Sequence, residues 1–121
     1  MVIEGEILWT PGAARIEAAG VTRFRRWLKE RRGLDFADYD SLWRWSVSDI
    51  EAFWAAIWDC FDVMSDMPYS RVLDRHTMPG ARWFEGSRVN YAEHLLRHEA
   101  VNPDALAIMH LMEGTPIATL S

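Results

Sequence analysis

The residues best suited by type and spacing to do chemistry are the cations between Arg23 and Arg32. Arg23, Arg25, Arg26, Lys29, Arg31 and Arg32 interleave with Phe24 and Trp27. That pattern could hold a nucleotide, the phosphates of coenzyme A or nucleic acid. Two observations weigh against it. Residues 35–66 carry eight acids and the single base Arg44, so the cations have partners within the chain. The formal net charge is −5, whereas a general nucleic-acid binder needs a basic excess to displace counterions. The expectation is a solvated or internally paired face, with the aromatic residues turned inward.

His94 and His98 stand four residues apart, a spacing that lets two imidazoles on one helix face clamp a metal. Leu95 follows His94, so the glutamate of H-E-x-x-H is missing, and no third ligand is in view. His76 and His110 are isolated. Cys60 lies in an aromatic stretch with no base beside it and reads as an inert thiol. Asp35, Asp38 and Asp40 flank Tyr39 as a solvated cap cluster. The sequence holds no G-x-S-x-G elbow, no G-x-x-x-x-G-K-[ST] loop and no G-x-G-x-x-G turn. No catalytic, cofactor-binding or metal-ligating residue is therefore assigned.

The elements that carry these residues can be read from caps and periodicity. Thr10 and Pro11 suit a helix start, with a helix over Ala13 to Ala19 closed by Gly20. Thr22 opens a second helix whose stripe is Phe24, Trp27 and Leu28, stopped at Gly33. Asp40 is expected to cap a short turn through Leu42, Trp43 and Trp45. Ser48 with Glu51 reads as a capping box opening the most apolar helix, with Ile50, Phe53, Trp54, Ile57, Trp58 and Phe61 on one face. Pro68, Pro79, Gly80 and Gly86 break the pattern that follows, leaving short extended pieces at Arg71 to Leu73 and Arg82 to Phe84. Asn90, with Glu93 three residues on, caps a helix through Leu95, Leu96 and His98. Ala105 to Met112 and Ile117 to Leu120 form a hairpin about the turn Glu113-Gly-Thr-Pro116.

The chain of 121 residues has room for one modest core. Seven tryptophans must be buried internally or against a partner, because exposed indole of that amount would aggregate. A hairpin as apolar as 105–120 needs cover, since two strands alone are marginal in water. More chain or a partner is expected to supply it. Met1 to Glu6 carries two acids and no apolar run, unlike a signal peptide. With one cysteine and no apolar run of membrane length, a cytoplasmic location with neither membrane nor nucleic-acid partner is expected.

The stretch Met78-Pro-Gly-Ala-Arg-Trp-Phe-Glu-Gly-Ser-Arg-Val-Asn-Tyr-Ala-Glu-His-Leu-Leu-Arg97 resembles the front of the short-chain acyl-CoA synthetases. With Leu8-Trp-Thr-Pro11, Thr22-Arg-Phe24, Tyr39-x-x-Leu-Trp-x-Trp-Ser46 and Phe53-Trp-Ala-Ala-Ile-Trp-Asp59, the chain is similar to the N-terminus of the acetoacetyl-CoA synthetase family. Glu85 departs from that pattern, where proline is expected. The resemblance implies an adenylate-forming ligase that joins acetoacetate to AMP and then passes the acyl group to coenzyme A. It implies ATP, magnesium and coenzyme A for the whole enzyme, none of them bound by this segment, whose functional partner would be the remainder of the ligase. The alternative is a free-standing tryptophan-rich helical module that binds another protein. The fold class expected is mainly α, about four short-to-medium helices with a C-terminal β-hairpin, at the front of a larger α/β adenylate-forming domain. Residues 1–104 would be the helical N-terminal region and 105–121 the first strands of an AMP-binding domain.

Overall fold

A computed structural model describes residues 4–121; the signal-peptide reading of Met1 to Glu6 therefore lies partly outside the described residues. The elements run α1 (Ala13–Ala18), α2 (Gly20–Arg32), α3 (Tyr39–Ser48), α4 (Ile50–Cys60), β1 (Arg71–Leu73), β2 (Trp83–Glu85), α5 (Tyr91–Leu96), a 3-10 turn (Arg97–Ala100), β3 (Ile108–His110) and β4 (Ala118–Leu120). The mainly helical reading with a C-terminal hairpin holds, and a second strand pair is added. The chain divides into two compact units, one ending at Asp62 and the other running from Val63 to Ser121.

In the first unit, α2 buries Phe24 and Leu28 and half-buries Trp27, the stripe that 3.6-residue periodicity places on one face. Leu28 is fully buried, and it forms a core with Phe24, Leu42 and Ala56. Trp27, Leu34, Phe36, Trp45, Phe53, Ile57 and Cys60 pack around it. Gly33 ends α2 at φ 68, a left-handed conformation that glycine adopts without Cβ strain. Its N–H donates to the Lys29 carbonyl and the Leu34 N–H to the Leu28 carbonyl, each at 3.2 Å.

Several expected helix starts are displaced. The N-cap of α1 is Gly12, which has no side chain to offer, so Thr10 does not cap. Gly20, expected to close α1, is the first residue of α2. Thr22 lies inside α2, and its hydroxyl donates at 2.6 Å to the Ile16 carbonyl, which also accepts from the Ala19 N–H at the end of α1. Asp38, not Asp40, caps α3 in a reciprocal box with Ser41. Asp49, not Ser48, caps α4 by accepting from the Ala52 N–H at 3.2 Å. Ser48 instead turns its hydroxyl back to the Trp45 carbonyl. In both displacements a carboxylate took the cap, an acceptor well suited to the positive end of a helix.

In the second unit, β1 pairs antiparallel with β2, Arg71 opposite Glu85 and Leu73 opposite Trp83. Val72 and Leu73 are buried. Asn90 caps α5 as expected, its side-chain oxygen accepting from the Ala92 and Glu93 N–H groups. The α-helix stops at Leu96, two residues before His98. β3 and β4 pair antiparallel with Met109 opposite Thr119, and all six of their residues are exposed. Only Ile108–His110 of the expected strand 105–112 is extended and paired. Among the described residues, no helix is long and apolar enough to cross a membrane.

Candidate functional site

Most of the cations on α2 are engaged within the first unit. Arg25 donates to the Phe36 carbonyl through Nε at 3.1 Å and also through Nη2. Arg26 pairs with Glu17, Lys29 with Asp35 at 2.7 Å, and Arg32 with Asp59 while lying over the Trp27 ring. The acid-rich segment thus supplies partners for Lys29 and Arg32. Arg23 and Arg31 are exposed on the same helix, too few to make a phosphate cradle. The Asp35, Asp38 and Asp40 cluster resolves into three jobs. Asp35 forms an ion pair, Asp38 caps, and Asp40 sits in the first turn of α3. The Ser41 backbone N–H, then the Ser41 hydroxyl, hold the Asp38 carboxyl below its usual range.

The histidine pair does not form a clamp. His94 lies on α5 and His98 in the 3-10 turn, so α-helical stacking of i and i+4 is lost between them. His94 Nδ1 accepts from the Met64 backbone N–H at 3.3 Å and lies 3.4 Å from Arg97 Nη1. No group of three or more potential metal-ligating side chains occurs among the described residues. Cys60 is half-buried beside the core, and burial pushes its thiol pKa up, away from a reactive thiolate. His76 and His110 are exposed.

A charged network that the sequence reading missed orders β1 and β2. The Asp74 side chain is 5% exposed. It accepts from the Arg82 N–H at 2.7 Å, from Arg82 Nε at 3.3 Å and from Arg75 Nε at 3.1 Å. These contacts, the Arg82 backbone N–H first, lower its pKa to about 2. Glu85, the departure from the family pattern, pairs with Arg71 and Arg82, each at 3.1 Å, and so ties the two strands together. Charges of both signs at 71, 74, 75, 82 and 85, in and beside the two extended pieces, were the available signal.

Of the two expected ways to bury the tryptophans, the chain itself does not supply the internal one. None of the seven is buried: Trp9, Trp43, Trp54 and Trp83 are exposed, and Trp27, Trp45 and Trp58 are half-buried. The α4 face is split accordingly. Phe53 and Ile57 turn to the core with Ala56, while Trp54 and Phe61 are exposed. Exposed Val21, Tyr39, Trp43 and Phe61 border an apolar hollow of about 260 Å³ floored by Phe24 and Leu42. A second hollow, of about 280 Å³, lies in the other unit and is lined by Met64, Ser65, Asp66, Arg88, Asn90 and Glu93.

The large apolar side chains left exposed include Ile7, Leu8, Trp9, Trp43, Phe61 and Leu120, more than a finished surface ordinarily leaves in water.

Known proteins carry the same pattern. Residues 39–95 match the family model described as acetyl-coenzyme A synthetase N-terminus. Acetoacetyl-CoA synthetase of Xenopus tropicalis is 34% identical over 93% of this chain, which spans 16% of that protein. Acetoacetyl-coenzyme A synthetase of Rhizobium meliloti is 40% identical over 74% of the chain and 14% of its own length. The solved acetoacetyl-CoA synthetase from Streptomyces lividans aligns over 94% of this chain and 18% of its own, with a TM-score of 0.84 and 43% identity. The chain therefore spans about a sixth of the length of the curated relatives it matches. The fold and the matched segment define the class as the N-terminal region of acyl-CoA synthetases. Within that class the chain belongs to the acetoacetyl-CoA synthetase family, as the counterpart of its N-terminal segment.

Proposed function

We propose that this chain serves as the non-catalytic N-terminal segment of an ATP-dependent acetoacetate–CoA ligase. That ligase joins acetoacetate, ATP and coenzyme A to give acetoacetyl-CoA, AMP and diphosphate. The observation that carries the reading is a set of exposed large apolar side chains, on a chain whose similarity to acetoacetyl-CoA synthetases runs along nearly its whole length. The remainder of the ligase is the partner that covers the tryptophan-bearing face and the β3–β4 hairpin. ATP, magnesium and coenzyme A are held by that remainder, in the cytoplasm, with residues 1–104 acting as the helical region and 105–121 as first strands of the AMP-binding domain. The role of this segment is structural: its exposed apolar side chains are buried against the rest of the ligase.

The test has two arms. The purified chain, incubated with ATP, magnesium, acetoacetate and coenzyme A, is expected to form no thioester above the blank. Turnover at about 1 s⁻¹ or faster would be an enzyme's rate and would overturn the assignment. The same chain, mixed with Streptomyces lividans acetoacetyl-CoA synthetase deleted of its matching segment, is expected to bind and raise ligase activity. Failure to bind, with cooperative folding of the chain alone, would instead favour the free-standing interaction module.

A further inference from the structure

We propose that the apolar hollow of the first unit is a socket for a helix from the remainder of the ligase, which presents an apolar side chain and an acid one turn away. The inference rests on reading this chain as a ligase segment, and names where and by what chemistry the contact is made. α3 is apolar on two sides. Leu42 and Trp45 turn to the core, whereas Tyr39, Trp43 and Val47, spaced four residues apart, form an exposed stripe. A helix apolar on both sides is one that is covered on both. The side without cover in this chain borders the hollow, floored by Phe24 and Leu42. Its volume of about 260 Å³ exceeds the roughly 150 Å³ in which a dry apolar cavity holds a benzene ring. One side chain the size of leucine or phenylalanine therefore fits. Among the described residues that line the hollow none is charged, and the Ser46 hydroxyl is turned back onto the Trp43 carbonyl at 2.7 Å. The interior thus rewards an apolar guest by removing it from water and offers a polar one little.

The edge of the hollow supplies the charge. Arg23 Nη2 comes within 4.0 Å of the position that a Cβ on Gly20 would take, and Gly20 lines the hollow. On the same helix Arg26, Lys29 and Arg32 are ion-paired, and Arg25 holds the Phe36 carbonyl. Arg23 is exposed and has no such partner among the described residues. A guanidinium without a carboxylate, beside an apolar socket without one, is complemented by an acid on the guest. Helical residues three or four apart share a face, so an apolar anchor and an acid at that spacing reach both features. This chain spans 16% of the Xenopus tropicalis acetoacetyl-CoA synthetase, so the rest of such a ligase is long enough to present the helix. A free fatty acid has similar chemistry, but the stripe runs on past the hollow to Val47. That continuation favours a helix over a small amphiphile.

The experiment titrates the full chain into Streptomyces lividans acetoacetyl-CoA synthetase deleted of its matching segment. Trp43→Ala, which removes an exposed wall of the socket, should weaken binding about tenfold or more. Arg23→Glu should weaken it about tenfold, whereas Arg31→Glu, the same charge change away from the hollow, should stay within about twofold of wild type. Wild-type affinity in either Trp43→Ala or Arg23→Glu would overturn the socket and leave the ligase reading standing. No binding by the wild-type chain would overturn both. Hydroxyl-radical footprinting of the unmodified chain needs no variant to fold. Oxidation of Tyr39, Trp43 and Phe61 should fall several-fold in the complex, and unchanged oxidation would overturn the socket. Protection of the same side chains in the chain alone, with the mass of a dimer, would assign the hollow to a second copy and overturn the proposal. Protection by decanoate but not by the truncated synthetase would assign it to a small amphiphile, with the same result.

Discussion

The helical unit and the second unit are built from similar residues and use them differently. In the first, helices of ten to thirteen residues gather Phe24, Leu28, Leu42 and Ala56 into one core. In the second, strands of three residues bury only Val72 and Leu73, and Leu95, Leu96, Leu106, Met109, Leu111 and Leu120 are exposed. A helix of three turns brings several apolar residues to one side, whereas a three-residue strand offers one or two. The first unit therefore has the means to hold itself together. The second depends on hydrogen bonds, ion pairs and whatever covers it. This difference locates the need for a partner more sharply than composition did.

The largest effect should come from the one fully buried leucine. Leu28→Ala should cost about 2–5 kcal/mol, transfer plus cavity, and abolish the cooperative transition of the helical unit. Leu120→Ala, at 62% exposure, should stay within about 0.5 kcal/mol in the isolated chain. Denaturant unfolding followed by near-ultraviolet circular dichroism compares the two. Equal costs would erase the distinction between the units.

Backbone geometry comes next. Gly33 has open space around its missing Cβ but sits at φ 68. Gly33→Ala should therefore cost about 1–2 kcal/mol through left-handed strain alone, without a clash. Because the cap belongs to α2, the loss should appear in the helical unit and leave β1–β2 amide exchange unchanged.

A smaller effect separates the two candidate caps of α4. Asp49→Ala should cost about 1 kcal/mol, whereas Ser48→Ala should fall within about 0.5 kcal/mol. The reverse order would restore the Ser48–Glu51 capping box.

That pair of variants also marks how much the sequence disclosed. The α2 stripe, its stop at Gly33, the Asn90 cap and the extended pieces near 71–73 and 82–84 were legible, because local chemistry decides each. The caps of α3 and α4 were not. Asp38 and Asp40, like Ser48 and Asp49, are competent acceptors one or two residues apart, and only tertiary packing sets the phase between them. The α4 stripe was not wholly drawn into the chain's own core, for a related reason. Periodicity put Trp54 and Phe61 on the α4 stripe, but small Ala56 turned to the core and left them exposed. The absence of an assigned site left little to test. The Asp74 network was overlooked because its members are near in sequence only across a loop of irregular backbone.

That network yields the smallest expected effect, a resistance to acid. The folded-state pKa of Asp74 is lowered to about 2 by the Arg82 N–H and by Arg75 and Arg82. A depressed carboxyl pKa contributes stability that is complete above the unfolded value and is lost as pH falls through the folded one. The β1–β2 contacts should therefore stay intact down to about pH 4, and weaken between about pH 4 and about pH 2. The Asp38 cap of α3 follows the same sign, its carboxyl also being held below the usual range. Carbon-13 titration of the Asp74 carboxyl reads the midpoint directly, and Asp74→Asn should remove the acid step from β1–β2 amide exchange. A midpoint in the ordinary carboxylate range would mean that Arg82 does not close on Asp74 in solution. The second unit would then keep the Glu85 pairs with Arg71 and Arg82 but lose its least exposed polar tie.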